Sequence, residues 1–155
     1  MEILKTNLDI IGVRNRTLAN RLLEYNGASV AIEMSKSASP IFRYGGRLFQ
    51  SAYSPEKEAA TQAREIAAKK PDWVLLFGLG CGQLLKALVD AGSVKVLVYE
   101  PSMEVLSGVL ASVDLSGLLA KEDVAVYADL GALISRVREL DGFDTLLAYA
   151  TMPYK

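Results

Sequence analysis

Residues 73–82, Trp-Val-Leu-Leu-Phe-Gly-Leu-Gly-Cys-Gly, constrain what this chain can fold into more than any other stretch. Five apolar residues run without polar alternation into glycines at 78, 80 and 82. An unbroken apolar run of this length is the pattern of a parallel strand with both faces covered. Glycines where such a strand meets a helix let the backbone turn tightly and approach a ligand closely. Residues 83–91 have helical character, and a second apolar run, 94–99, ends at Glu100. Further strands are expected at 124–127 and 143–149, with helices at 102–112 and 130–140 between them. Strands alternating with helices of this length predict βαβ units with right-handed crossovers. The expected class is α/β, built on a parallel sheet of at least four strands.

The first third of the chain reads differently. Apolar positions at Leu8, Ile11, Leu18, Leu22 and Leu23 predict one helix over residues 7–25, stopped by Asn26-Gly27. Val30 and Ile32 then alternate with Ala31 and Glu33, and Gly45-Gly46 separates two β-prone runs, a hairpin signal. A small antiparallel region is therefore expected, with residues 35–40 as a loop. Ser54-Pro55-Glu56 marks a helix start, by cap, first-turn proline and early acid, and the helix should run to Lys69. Residues 113–122 should form a loop or short turn. The expected domain boundaries are 1–53 for an N-terminal helix plus β-hairpin subdomain and 54–155 for the α/β domain. Only residues 150–155 come after the fourth strand, whereas many doubly wound sheets continue to five or more. The expectation is a fragment of a longer protein, with an open sheet edge near Tyr149 that invites pairing into a homodimer.

Charge and composition exclude several classes. The 17 basic and 18 acidic side chains give a net charge of −1 with no basic block, which argues against a nucleic-acid partner. No apolar run approaches the ~18 residues that span a bilayer, and Glu2 and Asp9 argue against a signal peptide, so no membrane partner is expected. Cys81 stands alone, which suits a reducing compartment and a cytoplasmic location. The sequence contains 0 histidines. The commonest neutral-pH acid-base and the commonest metal ligand are thus missing, and no metal site is expected.

The glycine spacing is G-x-G-x-G and departs from the dinucleotide fingerprint G-x-G-x-x-G, because position 83 is Gln. It resembles the first loop of S-adenosylmethionine-dependent methyltransferases. The fold is on this basis Rossmann-like, of the methyltransferase-like kind. By that resemblance Gly78, Gly80 and Gly82 form the cofactor loop, Glu100 takes the ribose hydroxyls, and Asp129 lies on the adenine side. The ligand so implied is S-adenosylmethionine or another nucleotide. The acid usual two residues before the first glycine is replaced by Leu76. The competing reading is that the glycines permit close strand–helix packing and Glu100 is solvated. Cys81, in the loop, is read as a small packing residue, since a nucleophilic thiol has no histidine base here. Arg43, Tyr44, Arg47, Lys57 and Arg64 either grip a phosphate or sugar acid or simply solubilise the surface. Tyr149, Met152, Pro153 and Tyr154 either line a cleft at the end of the fourth strand or pack on a further domain.

Two segments carry a further resemblance. Ser51, Tyr53, Pro55, Glu58 and Ala59 form an S-x-Y-x-P-x-x-E-A pattern similar to the segment before the first strand in the motility-associated-factor (Maf-type) family of flagellin glycosyltransferases and related proteins. Residues 76–85, with Tyr99-Glu100-Pro101-Ser102, are similar to that family's glycine loop and acid-proline step. The match runs from about residue 48 onward and corresponds to the family's N-terminal Rossmann-like domain. The family's loop is commonly followed by Tyr-His; Gln83 and Leu84 stand here, so no role for that histidine carries over. The resemblance implies a larger polypeptide whose next domain binds the activated sugar and carries a G-x-G-P-S-L-type motif, which this sequence lacks. One branch of that neighbouring domain resembles a pterin pyrophosphokinase. By this resemblance the chain is an accessory or substrate-recognition domain, non-catalytic alone. Its partners would be the downstream catalytic domain and flagellin or another acceptor protein. The alternative is a methyltransferase-like enzyme domain.

Overall fold

The structure, a computed structural model, describes residues 2–25, 30–44, 46–48, 50–92, 94–142, 144–151 and 154. The N-terminal helical stretch is a pair, α1 (Glu2–Arg14) and α2 (Arg16–Glu24), in place of the single helix expected. The break falls at Asn15, whose side-chain oxygen accepts from the Leu18 amide at 3.0 Å and caps α2. Asparagine offers the backbone a local partner in place of the helical one, which is why it interrupts an otherwise continuous pattern. The expected stop at Asn26-Gly27 lies outside the described residues.

Three short strands come next, β1 (Ala31–Met34), β2 (Pro40–Tyr44) and β3 (Arg47–Leu48), antiparallel in that order. Tyr44 pairs with Arg47 across the expected turn, and Gly46 has φ +79°. Gly45 lies outside the described residues. The loop expected over 35–40 is shorter by its last residue, since Pro40 already pairs with Met34.

From residue 55 the elements are α3 (Pro55–Ala68), β4 (Trp73–Phe77), α4 (Gln83–Ala91), β5 (Lys95–Tyr99), α5 (Met103–Ser112), α6 (Ser116–Leu119), β6 (Val124–Tyr127), α7 (Leu130–Arg138) and β7 (Leu146–Ala150). Ser54 occupies the N-cap of α3 without bonding a backbone amide; its hydroxyl donates to Glu56 at 3.0 Å instead. Residues 113–122 include the one-turn helix α6. The last strand begins at Leu146, later than residue 143. Ahead of it Thr145 is tied to Asp72, its amide donating to the carboxylate at 2.8 Å, while Phe143 lies outside the described residues.

The four strands form a parallel sheet in the order β6-β5-β4-β7. The chain steps from β4 to β5 to β6 in one direction, then returns past β4 to β7. Right-handed crossovers therefore place α4 and α5 on one face and α7 on the other. On the first face Val74, Leu76, Val96, Val98, Val124 and Val126 join one cluster with Leu8, Leu22, Phe42, Leu85 and Leu106. The N-terminal helix pair and the antiparallel strands thus share their core with the parallel sheet. Asn7, fully buried, fixes this junction: its amide donates to the Leu110 and Val113 carbonyls, both at 2.8 Å, and its oxygen accepts from Leu115 at 3.0 Å.

The second face is thinner. Leu133 of α7 packs on Trp73, Leu97 and Tyr99, with Leu75 and Phe77 only partly buried and Leu146 39% exposed. The double coverage expected for the 73–77 strand is therefore complete on one face and partial on the other. Among the described residues no helix is long and apolar enough to cross a membrane.

Candidate functional site

The order of the sheet reverses at β4, and the crevice at the carboxyl ends of its strands is where open α/β sheets place ligands. The glycine loop leaves β4 at this point. Its three glycines have φ of +109°, +57° and +90°, values L side chains rarely adopt. What approaches them is the chain itself. A Cβ at position 78 would run into the Thr151 hydroxyl, at position 80 it would lie 2.6 Å from Gln50 Nε2, and at position 82 it would lie 2.6 Å from a Leu115 methyl. Between the glycines, Leu79 and Cys81 are buried. Burial pushes the Cys81 thiol up to about 12, so it is inert at neutral pH.

Glu100 follows the last residue of β5, directly beside this loop, and is 1% exposed. One carboxylate oxygen accepts from the Leu79 amide at 3.3 Å; the other accepts from the Ser102 amide at 3.2 Å and from the Tyr154 hydroxyl. Burial pushes the carboxyl above its usual range, with the bonds from Tyr154, Ser102 and Leu79 opposing that shift. The Tyr154 ring stands edge-on to Phe77 at 4.9 Å, and Phe77 stands edge-on to Tyr99 at 5.1 Å. A ligand hydroxyl that reached Glu100 here would take the position held by the tyrosine hydroxyl. Burial, and then Glu100, push the Tyr154 hydroxyl above its ordinary value.

Of the five residues singled out from the sequence, the structure brings four together: Gly78, Gly80, Gly82 and Glu100. Asp129 is exposed at the end of β6, where its carboxylate accepts from the Ala132 amide at 2.9 Å and caps α7. No hydrogen bond among the described residues joins it to the other four.

Arg43 and Arg64 find their partners away from the glycine loop. Arg43 pairs with Glu33 at 2.7 Å and donates to the Gly46 carbonyl at 3.0 Å, which braces β1 to β2. Tyr44 donates to Glu104 at 3.0 Å, a bond that raises its hydroxyl's affinity for the proton. Arg64 turns back to Thr61 at 3.2 Å, and Lys57 is exposed. Tyr149 packs against the core on the covered face of the sheet, and Met152 and Pro153 lie outside the described residues. Among the described residues no group of three His, Cys, Asp or Glu side chains is placed to hold a metal ion.

The structure adds two features whose geometry is not legible in the sequence. Tyr154 engages Glu100 from 54 residues away. A cavity of about 440 Å³ opens beside Gly80, between β3, α3, the start of α4 and the end of β7. Gln50 and Gln62 on its walls belong to no recognisable motif.

No family model and no curated protein matches this sequence. Solved structures do resemble the chain in three dimensions. The Maf glycosyltransferase from Magnetospirillum magneticum AMB-1 superposes with a TM-score of 0.65 at 12% identity, over 99% of this chain. MnmC2 from Aquifex aeolicus has a TM-score of 0.44 at 17% identity, over 90% of this chain and 57% of its own. The first of these likenesses shows a shared fold, and the chain spans 33% of the length of that Maf glycosyltransferase.

Proposed function

We propose that this chain is the N-terminal, Rossmann-like accessory or substrate-recognition domain of a Maf-type glycosyltransferase-like protein, and that it is non-catalytic alone. The observation that carries this reading is the fold likeness over 99% of the chain to one region of a Maf glycosyltransferase. The S-x-Y-x-P-x-x-E-A segment and the acid-proline step at Glu100-Pro101 support it from the sequence side. The closed surroundings of Glu100 favour a non-catalytic role over the methyltransferase-like alternative, which needs that carboxylate for a cofactor. In this reading glycosyl transfer belongs to a neighbouring domain of the same cytoplasmic polypeptide, and this domain presents flagellin or another acceptor protein to it.

Deleting residues 1–155 from the full-length polypeptide tests the division of labour. Transfer to flagellin should be lost while hydrolysis of the activated sugar by the remaining domain persists. Unchanged transfer to flagellin after the deletion would overturn the recognition role.

A further inference from the structure

Four residues of the S-x-Y-x-P-x-x-E-A segment share one open space, although Pro55 and Ala59 are buried and Ala59 also packs in the core. Ser51, Pro55, Glu58 and Ala59 all line the cavity beside Gly80, and Gln62 extends the same wall. Positions 55, 58, 59 and 62 have the i, i+3, i+4, i+7 spacing of a single helix face, so α3 turns one stripe toward this space. Tyr53 points elsewhere: it is 66% exposed, with the Lys36 ammonium 4.4 Å from its ring centroid.

The polar groups around the cavity have hydrogen-bonding capacity left over. The Gln50 carbonyl is taken by the Phe42 amide at 3.0 Å, which leaves its NH2 group beside Gly80. Ser51 Oγ accepts from the Tyr53 and Ser54 amides, each at 3.2 Å, so its own proton remains to donate. The Thr151 hydroxyl donates to the Phe77 carbonyl at 3.2 Å, and its lone pairs remain to accept. Glu58 and Gln62 hydrogen-bond through their side chains to no other described residue. Among the described residues no lysine or arginine lines the space, and Glu58 is its one ionisable lining group. An anionic ligand would face a carboxylate that no lining cation among the described residues offsets.

We propose that this cavity binds an uncharged small molecule carrying vicinal hydroxyls. Glu58 would accept two neighbouring hydroxyls, while Gln50, Gln62 and Ser51 bond the rest. The volume of about 440 Å³ lies in the range of small-molecule sites and admits one sugar ring or one nucleoside. The shared chemistry is the cis or vicinal diol; hexopyranosides and ribonucleosides are its two sources. Glu100 does not line this cavity, so the site differs from a ribose site on that carboxylate. The inference rests on the cavity alone and does not depend on the chain's place in a transferase.

Calorimetric titration with methyl glucoside and with uridine tests it, alongside glucose 6-phosphate and uridine monophosphate. One of the neutral probes should saturate with a dissociation constant of about 1 mM or below, and which one does so names the source. Its phosphorylated counterpart should bind more weakly. Glu58→Ala and Gln62→Ala lie on an accessible helix face and should keep the far-ultraviolet dichroism of the parent chain, yet each should weaken the neutral probe by about tenfold. Glu100→Gln should leave that affinity unchanged. The proposal is overturned if neither neutral probe saturates, if a phosphorylated probe binds more tightly, or if binding responds to Glu100→Gln and not to Glu58→Ala. Loss of flagellin transfer on domain deletion with no diol binding would sink this site and leave the recognition role standing.

Discussion

At Glu100, burial and hydrogen bonding act in opposite directions on one carboxyl, and burial is the larger. A carboxyl whose folded pKa is raised favours folding while it is protonated, below its unfolded value. That contribution is lost as pH rises through the folded value. Urea midpoints of the wild type should therefore fall between the acidic side of the usual carboxylate range and neutral pH by more than those of Glu100→Gln. Equal falls in the two proteins would show that the carboxyl is not held away from water. Cys81 offers a second check: buried and pushed up to about 12, it should resist iodoacetamide at neutral pH until the chain is unfolded in denaturant. Rapid native-state alkylation would contradict the loop geometry. Glu100 is legible in the sequence because a strand end fixes its place. Tyr154 is legible as a residue near the end of the fourth strand but its bond to Glu100 is not, and Gln50 and Asn7 are not legible, because these partners are brought together only by tertiary packing.

Among the elements, the glycine loop joined to α4 separates two uses of the left-handed conformation. Gly82 and Gly92 both have positive φ, +90° and +79°, at the two ends of α4. A side chain at 92 meets open space, whereas one at 82 meets Leu115 at 2.6 Å. Gly92→Ala should cost about 1 kcal/mol, from backbone conformation alone. Gly82→Ala should cost about 1–3 kcal/mol more, because Leu115 must also move. Equal losses in thermal or urea unfolding would mean that Leu115 yields freely. The parallel strands and their helices are legible because apolar runs and capping residues are local signals. Ser102 and Asp129 accept from the Val105 and Ala132 amides just as caps should. The break at Asn15 is hidden because Leu8, Ile11, Leu18 and Leu22 keep a helical spacing across it, and one capping side chain outweighs that pattern. The one-turn α6 carries too few residues to show any period.

The whole molecule is asymmetric about its sheet. One face is sealed by α3, α4, α5 and the N-terminal region, while the other has α7 over β5 and β6 and leaves Leu75, Phe77 and Leu146 partly open toward the β7 edge. The strand alternation in the sequence reveals the class but not this imbalance, which arises from the return of the chain past β4. An apolar face beside a strand that, among the described residues, pairs on one side only favours association. Sedimentation velocity should show self-association that grows with concentration and weakens in Leu146→Lys, whereas a clean monomer at high concentration would contradict it. The central claim concerns the glycine loop: the chain's own side chains, Thr151, Tyr154, Gln50 and Leu115, occupy the space against it, and on that ground we propose that the domain works without a nucleotide cofactor. Calorimetry of the wild-type chain with S-adenosylhomocysteine tests this most directly. The account predicts no binding at micromolar ligand; saturable micromolar binding that disappears in Glu100→Gln would contradict it and establish the methyltransferase-like alternative.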